Sequence, residues 1–182
     1  MHDFNKELWK ERALTRFKRA CLQSTSKQSR TLADKQWQTD INCIEAMNVV
    51  VDWCNSKKID VKFGKKSGAI YDPNTRSITM TVHSGPEKQL FMLLHECGHH
   101  LIGFTKDDER FGKGYPFIGD SDVNSTFHHR LACLEEEIEA WHRGWKLSKR
   151  LKLNLDRDNF DKVRVECLKG YIKWANSRRS MT

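Results

Sequence analysis

The sequence predicts a mostly helical α+β protein: a single domain in which a small antiparallel three-stranded sheet packs near one apolar helix. Most of the chain repeats its apolar residues at three- and four-residue steps, as amphipathic helices do, whereas one short central region alternates apolar and polar residues, as strands do. A length of 182 residues with 38% apolar content is enough for one core.

The helical pattern occurs in five segments that are separated by polar or glycine-rich stretches. The first segment is basic, and the polar residues after it lack periodicity and are predicted to form a linker. We therefore divide the chain into a basic N-terminal helix with its linker, residues 1–30, and a main domain, residues 31–178. The predicted helices span residues 4–22, 32–56, 86–103, 127–153 and 158–174, and residues 104–126 are predicted to be a long irregular connection.

Three strands are predicted between the second and third helices. Residues 59–63 alternate apolar and polar side chains, and residues 69–71 and 76–82 flank the turn sequence Asp-Pro-Asn with β-branched residues on both sides. If the last of these strands lies at an edge of the sheet, it could hold an extended peptide by strand addition.

The net charge of +8 is concentrated at the two ends of the chain. Residues 1–40 carry nine Lys/Arg and five Asp/Glu, residues 143–182 carry twelve and four, and the middle carries eleven and fifteen. Such basic ends can contact nucleic acid, although scattered basic residues on helices more often form a solvated face.

Cysteine usage and hydropathy predict an intracellular protein. The six cysteines are scattered with no C-x-x-C pair, which favours reduced thiols, and the basic N-terminal region has no signal-like apolar segment. No stretch approaches the roughly 18 apolar residues that a membrane helix needs. We expect a soluble, cytoplasmic protein with no membrane partner and leave its oligomeric state open.

A metal-binding motif lies in the apolar helix predicted at residues 86–103. His95, Glu96 and His99 form an H-E-x-x-H pattern. Residues four apart on a helix project from the same face, so the two imidazoles can hold one divalent metal ion, here expected to be Zn²⁺. Glu96 lies next to them, where a carboxylate can act as a general base toward water. The alternative is a core helix whose two histidines have ordinary hydrogen-bond partners. It is less favoured because three polar residues at this spacing do not help a core to pack.

A catalytic zinc site has three protein ligands and one open position, so the chain must supply one further ligand. An acidic residue on the next long helix could serve, as could a histidine near the start of that helix. The candidates for the third ligand are Glu135, Glu136, Glu137, Glu139, His128 and His129.

Three segments of the chain resemble the ImmA/IrrE group of zinc metallopeptidases, which belong to the gluzincin type and include phage-encoded members. They read A-I-Y-D-P-N-T-R-S-I-T-M at 69–80, L-L-H-E-C-G-H-H-L-I-G at 93–103 and E-E-I-E-A-W at 136–141. The resemblance covers about residues 59–145 and implies that Glu137, three positions before Ala140 in an E-x-x-A segment, is the third ligand. The chain departs from the family pattern at Trp141, where Asn or Asp is usual, and in the basic run 144–150, which replaces a Leu-Met-Pro run.

The expected function is therefore a zinc-dependent endopeptidase that hydrolyses peptide bonds of an intracellular protein, with Glu96 as the catalytic base. Residues that could stabilise the oxyanion or support the ligands are His128, His129, His142 and Tyr115. The alternative is a SprT-like or non-catalytic metal-containing protein whose basic ends contact nucleic acid, and a histidine as third ligand would favour it.

Overall fold

The structure, a computed structural model, describes residues 2–3, 6–24, 26–64, 68–103 and 126–177. These residues form five α-helices and four β-strands, which confirms the predicted mostly helical α+β class. The helices are α1 (Lys6–Gln23), α2 (Lys27–Ser56), α3 (Pro86–Ile102), α4 (Phe127–Arg150) and α5 (Arg157–Asn176). The strands are β1 (His2–Asp3), β2 (Asp60–Gly64), β3 (Ile70–Asp72) and β4 (Ser77–Thr81).

The chain folds into two compact units, Met1–Leu93 and Leu94–Thr182, whose boundary lies within α3. The domain boundary predicted at residue 30 stays a prediction. No helix within the described ranges is long and apolar enough to cross a lipid bilayer.

The three predicted strands are present as β2, β3 and β4, but the prediction that their sheet is antiparallel was wrong, and the two-residue strand β1 joins them. The sheet is mixed, with strand order β1-β2-β4-β3: β2 pairs with β4 in parallel, whereas β1–β2 and β3–β4 are antiparallel. Strand β4 is an interior strand because it pairs with β2 on one side and β3 on the other, and its Ile78 and Met80 side chains are fully buried. Strand β3 lies at the edge and exposes Ile70. Since β4 is paired on both sides, the predicted peptide-binding edge at this strand was also wrong.

The predicted linker at residues 23–30 is mostly helical. Helix α2 begins at Lys27, where Ser26 caps it by accepting a hydrogen bond from the backbone N–H of Ser29. A capped first turn needs no apolar residue, so hydrophobic periodicity could not reveal this start. Helices α1 and α2 pack together in the first unit, where Arg16 lies 3.0 Å from the buried carboxylate of Asp40.

The core of the first unit lies where α2 meets the sheet. Apolar side chains of α2 recur at helical spacing, and those of β2 alternate along the strand, so each element buries one face. Trp9 of α1 packs edge-on against Phe63 of β2, with ring centroids 5.6 Å apart. The side chains buried here include Ile44, Met47, Val50, Cys54, Ile59, Val61, Phe63, Ile78 and Met80.

In the second unit, α4 and α5 pack against each other around aromatic side chains. Phe160 of α5 lies between Trp141 and Trp145 of α4, at centroid distances of 5.3 and 5.0 Å. Asp156 caps α5 by accepting a hydrogen bond from the backbone N–H of Asn159. This aromatic cluster anchors α4, the helix that carries the predicted acidic ligands.

Candidate metal centre

Helix α3 presents two histidines from one face, in the part of the helix that belongs to the second unit. The rings of His95 and His99 lie with centroids 4.7 Å apart and nearly perpendicular, as expected for residues four apart on a helix. His95 is 5% exposed, so a divalent ion bound here would be shielded from bulk water on that side.

A carboxylate from α4 meets both imidazoles. Nε2 of His95 lies 3.2 Å from Oε2 of Glu137, and Nε2 of His99 lies 3.5 Å from Oε1 of the same residue. One ligand atom from each of the three side chains can be chosen so that all lie within 4.8 Å of one another. The group His95, His99 and Glu137 could therefore hold a metal ion.

Two acidic residues near Glu137, Glu135 and Glu139, lie away from the histidines. Glu139 accepts a hydrogen bond from Nε of Arg143 at 2.8 Å, and the same guanidinium donates to the carbonyl of Leu101 at the end of α3. A cation at a helix C-terminus is favourable because of the helix dipole, so this pair ties α4 to α3. Glu135 lies on the exposed side of α4.

Two glycines let α3 and α4 approach closely enough for Glu137 to reach the histidines. A Cβ atom on Gly98 would lie 1.9 Å from the carbonyl oxygen of Ala140, and a Cβ atom on Gly144 would lie 2.4 Å from that of Leu94. Both separations are far shorter than any real carbon–oxygen contact. The backbones themselves touch at these points, and the pairing of 98 with 140 and 94 with 144 shows that the helices run antiparallel.

The two imidazoles are oriented by different partners. Nδ1 of His99 lies 3.2 Å from Oε1 of Glu136, the arrangement by which a carboxylate fixes a histidine tautomer and leaves Nε2 for a metal. The ring of His95 instead stacks on Trp141, with centroids 4.5 Å apart and planes 19° apart. Packing therefore holds one ring, and a hydrogen bond holds the other.

When no metal is bound, the histidines and carboxylates of this cluster shift one another's pKa values. Burial alone would lower the pKa of His99, but hydrogen bonds to Glu136 and Glu137 outweigh it and raise the pKa to about 10. Burial alone would raise the pKa of Glu137, but hydrogen bonds from His95 and His99 lower it to about 2. The cluster thus holds a protonated imidazole against a carboxylate when no metal is bound.

Glu96, the predicted base, is 4% exposed and lies beside His95 in the same helix. It is not one of the three grouped metal-binding residues, although its negative charge contributes to raising the pKa of His99. This carboxylate is therefore close to the candidate centre without belonging to the ligand set.

The other predicted site residues do not join the group among the described side chains. His129 is buried two turns before Glu137, and its Nε2 lies 3.4 Å from Sγ of Cys133. His142 is exposed, and five residues after Glu137 it projects about 140° away around α4. Tyr115 and the His128 side chain lie outside the described residues.

Sequence reasoning missed one residue that lies beside the ligand set. Tyr171 on α5 lines the same pocket as Glu137, and burial together with the negative charge of Glu137 raises the pKa of this tyrosine. Its sequence pattern indicated only an apolar face of the last helix, together with Cys167 and Trp174 at helical spacing. This placement depends on the packing of α5 against α4, which has no local signal in the sequence.

All six cysteines lie among the described residues as thiols, in agreement with the prediction from their spacing. No protein-family model, curated protein or solved structure matches this chain, so the chemistry of the candidate centre is inferred from its own residues.

Proposed function

We propose that the protein is a zinc-dependent peptidase that hydrolyses peptide bonds in a protein substrate inside the cell. The observation that carries the proposal is the buried group His95, His99 and Glu137, with a second buried carboxylate, Glu96, adjacent to it on the same helix. Two imidazoles and one carboxylate are one of the ligand sets of catalytic zinc centres, and a separate carboxylate can serve as the base.

The types of donor atom suit zinc, which binds imidazole nitrogen and carboxylate oxygen in catalytic sites. Nε2 of His95 and Nε2 of His99 lie 3.2 and 3.5 Å from different oxygens of the Glu137 carboxylate. One donor atom from each of the three side chains can be chosen so that all lie within 4.8 Å of one another. Glu136 supports the assignment further, because metal-bound histidines usually donate their second N–H to a carboxylate or carbonyl.

A zinc ion held by these residues would supply Lewis-acid chemistry, lowering the pKa of water and polarising the scissile carbonyl. Glu96 would accept one proton from the attacking water as the water oxygen bonds to the carbonyl carbon. The same carboxylic acid would return that proton to the leaving amine as the carbon–nitrogen bond breaks.

The proposal is tested by comparing the wild-type protein with Glu96→Gln and Glu137→Gln, using fluorescently labelled casein and measuring bound zinc in parallel. The wild type should cleave casein, lose activity with a chelator and regain it with zinc. Because a general base contributes roughly 10²–10⁴-fold, Glu96→Gln should lose at least a hundredfold in rate while retaining zinc. Glu137→Gln should lose zinc itself. If Glu96→Gln cleaves casein at the wild-type rate, the mechanism is wrong.

The resemblance to ImmA/IrrE peptidases and the nucleic-acid alternative both remain predictions. The carboxylate in the ligand group is the type of third ligand that the resemblance implies. The alternative predicts binding to DNA or RNA that weakens steeply with salt, because phosphate contacts release counterions.

A further inference from the structure

A pocket of about 340 Å³ opens beside the candidate centre in the second unit. It is lined by Cys133 and Glu137 of α4 and by Cys167, Gly170, Tyr171 and Trp174 of α5. Glu137 belongs to both structures: its carboxylate contacts the two histidines, and its side chain forms part of the pocket wall. The pocket therefore adjoins the candidate metal ligands through Glu137.

The pocket walls are mostly apolar. Two thiols and the rings of Tyr171 and Trp174 supply soft, polarisable surface of the kind that contacts aromatic and long aliphatic groups favourably. The polar groups of the wall include the phenol of Tyr171 and the carboxylate of Glu137. That carboxylate faces His95 and His99, at 3.2 and 3.5 Å, so its charge is matched within the candidate centre and does not select an ionic side chain in the pocket.

We infer that this pocket binds a bulky apolar side chain of the substrate, adjacent to the bond that is cleaved. The inference rests on the proposed peptidase function for the placement of the substrate. A peptide advances about 3.3–3.6 Å per residue, so a carbonyl next to Glu137 brings a neighbouring side chain within reach of the pocket. The substrate class is then a protein with a large aromatic or long aliphatic residue at the cleavage site.

Gly170 provides the means of closing the pocket without disturbing the fold. It lies in the interior of α5, and a Cβ atom built on it meets no atom within 4 Å. A larger side chain at this position therefore extends into open space at the pocket wall. Because alanine favours a helix over glycine by about 1 kcal/mol, Gly170→Ala should be at least as stable as the wild type while narrowing the pocket slightly.

The experiment compares the binding of glycine hydroxamate and phenylalanine hydroxamate to the zinc-loaded protein by calorimetry. Both probes chelate the metal through the same group, and they differ in the side chain offered to the pocket. Burying a phenylalanine side chain should make the second probe bind about tenfold to a hundredfold more tightly to the wild type. Gly170→Leu should reduce that ratio to less than threefold, with Gly170→Ala intermediate.

Ile172→Leu is the matched control, because Ile172 is exposed on the same helix and does not line the pocket. It should retain the wild-type ratio. The pocket assignment is overturned if the wild type binds the two probes equally, if neither probe binds, or if the preference persists in both Gly170 variants. Casein cleavage is scored separately: a side-chain preference without cleavage would remove the peptidase proposal and keep the pocket, and cleavage without a preference would do the reverse.

Discussion

His99 lies between two carboxylates, and this position gives it two alternative states. One ring nitrogen lies 3.2 Å from Glu136 and the other lies 3.5 Å from Glu137. Without a metal, a proton on each nitrogen satisfies both acids. A metal ion would replace the proton that faces Glu137 and leave the one that faces Glu136, because metal ligation requires a deprotonated nitrogen. Protons and metal therefore compete for the same atom.

This competition predicts how the stability of the metal-free protein depends on pH. Glu137 has a lowered pKa of about 2, so its contribution is complete above its ordinary value of 4.5 and is lost as the pH falls toward 2. His99 has a raised pKa of about 10, so its contribution is complete below its ordinary value of 6.5 and is lost as the pH rises toward 10. The contribution of this cluster to the free energy of unfolding should therefore be highest between pH 4.5 and 6.5.

Urea unfolding in the presence of a chelator, repeated across this pH range, measures the effect. Glu137→Gln removes the titrating acid and one partner of His99, so both slopes should become shallower in that variant. A wild-type profile with the same slopes as the variant would contradict the shared-proton description of the cluster.

At the scale of elements, the candidate centre depends on the reciprocal contact of α3 and α4. Each helix has one glycine that lies against the backbone of the other helix. Gly98 of α3 lies against Ala140, and Gly144 of α4 lies against Leu94. Because neither glycine carries a Cβ atom, the two helices approach closely enough for Glu137 to contact the histidines. Arg143 fixes the same pair of helices by donating to the carbonyl of Leu101 at 2.8 Å.

Replacing Gly98 with alanine should separate the two helices. Because the new Cβ would lie 1.9 Å from a backbone oxygen, which cannot rotate away as a side chain can, we expect a loss of about 3 kcal/mol in stability. Zinc affinity should fall by roughly tenfold to a hundredfold, as it does when residues that orient ligands are changed. Chemical unfolding and competitive zinc titration measure the two effects.

Gly103→Ala is the control for this change, since its Cβ would lie at an ordinary 3.9 Å from the nearest atom, the carbonyl oxygen of His100. It should alter neither stability nor zinc affinity appreciably. Equal effects of the two substitutions would show that helix spacing does not determine the geometry of the centre.

The elements that the sequence predicted well are those with a local signal. Hydrophobic periodicity located all five helices, and the Asp-Pro-Asn turn located the β3–β4 hairpin. The order of strands was not predictable in this way, because the pairing of β2 with β4 joins two segments that β3 separates in sequence. The H-E-x-x-H spacing identified His95 and His99 directly, whereas the choice of Glu137 over its acidic neighbours came only from a family resemblance.

The supporting residues had no such local signal. Trp141 was noted as a departure from the family pattern, and its role is to stack on His95. Gly98, Gly144 and Tyr171 act through contacts between helices that are distant in sequence. Their roles can be predicted only from the packing of α3, α4 and α5, and neither residue propensity nor hydrophobic periodicity gives that packing.

For the whole molecule, zinc binding should stabilise the folded state. A ligand present at a thousand times its dissociation constant contributes about 4 kcal/mol, which corresponds to roughly 8–16 °C in melting temperature for a chain of this size. Hydrogen exchange should locate the added protection in α4 and in the C-terminal half of α3, where the three ligands lie. Calorimetry and exchange with and without zinc test this expectation.

Glu137→Gln serves as the control, because it keeps the size of the side chain and removes the ligand charge. Its melting temperature should respond to zinc much less than that of the wild type. Identical zinc-induced shifts in the two proteins would mean that the ion binds elsewhere.

The basic ends of the chain are partly neutralised within the fold. Lys6 and Lys10 of α1 both pair with Glu45 of α2, and Arg16 pairs with Asp40. In α5, Asp161 pairs with both Arg157 and Arg164. The net charge of +8 already counts these acidic residues, and the pairing leaves the paired basic side chains less available to a polyanion.

The glycine contact between α3 and α4 also gives this type of centre a recognisable sequence signature. The first half is His-Glu-x-Gly-His, as at 95–99, and the second is Glu-x-x-Ala-x-x-x-Gly, as at 137–144. The two halves contain the three candidate ligands together with the two glycines at which the helices touch. A chain with both halves is expected to bring one carboxylate to two imidazoles whatever the length of the intervening segment, so unrelated-looking sequences can be screened for the same centre by this paired pattern.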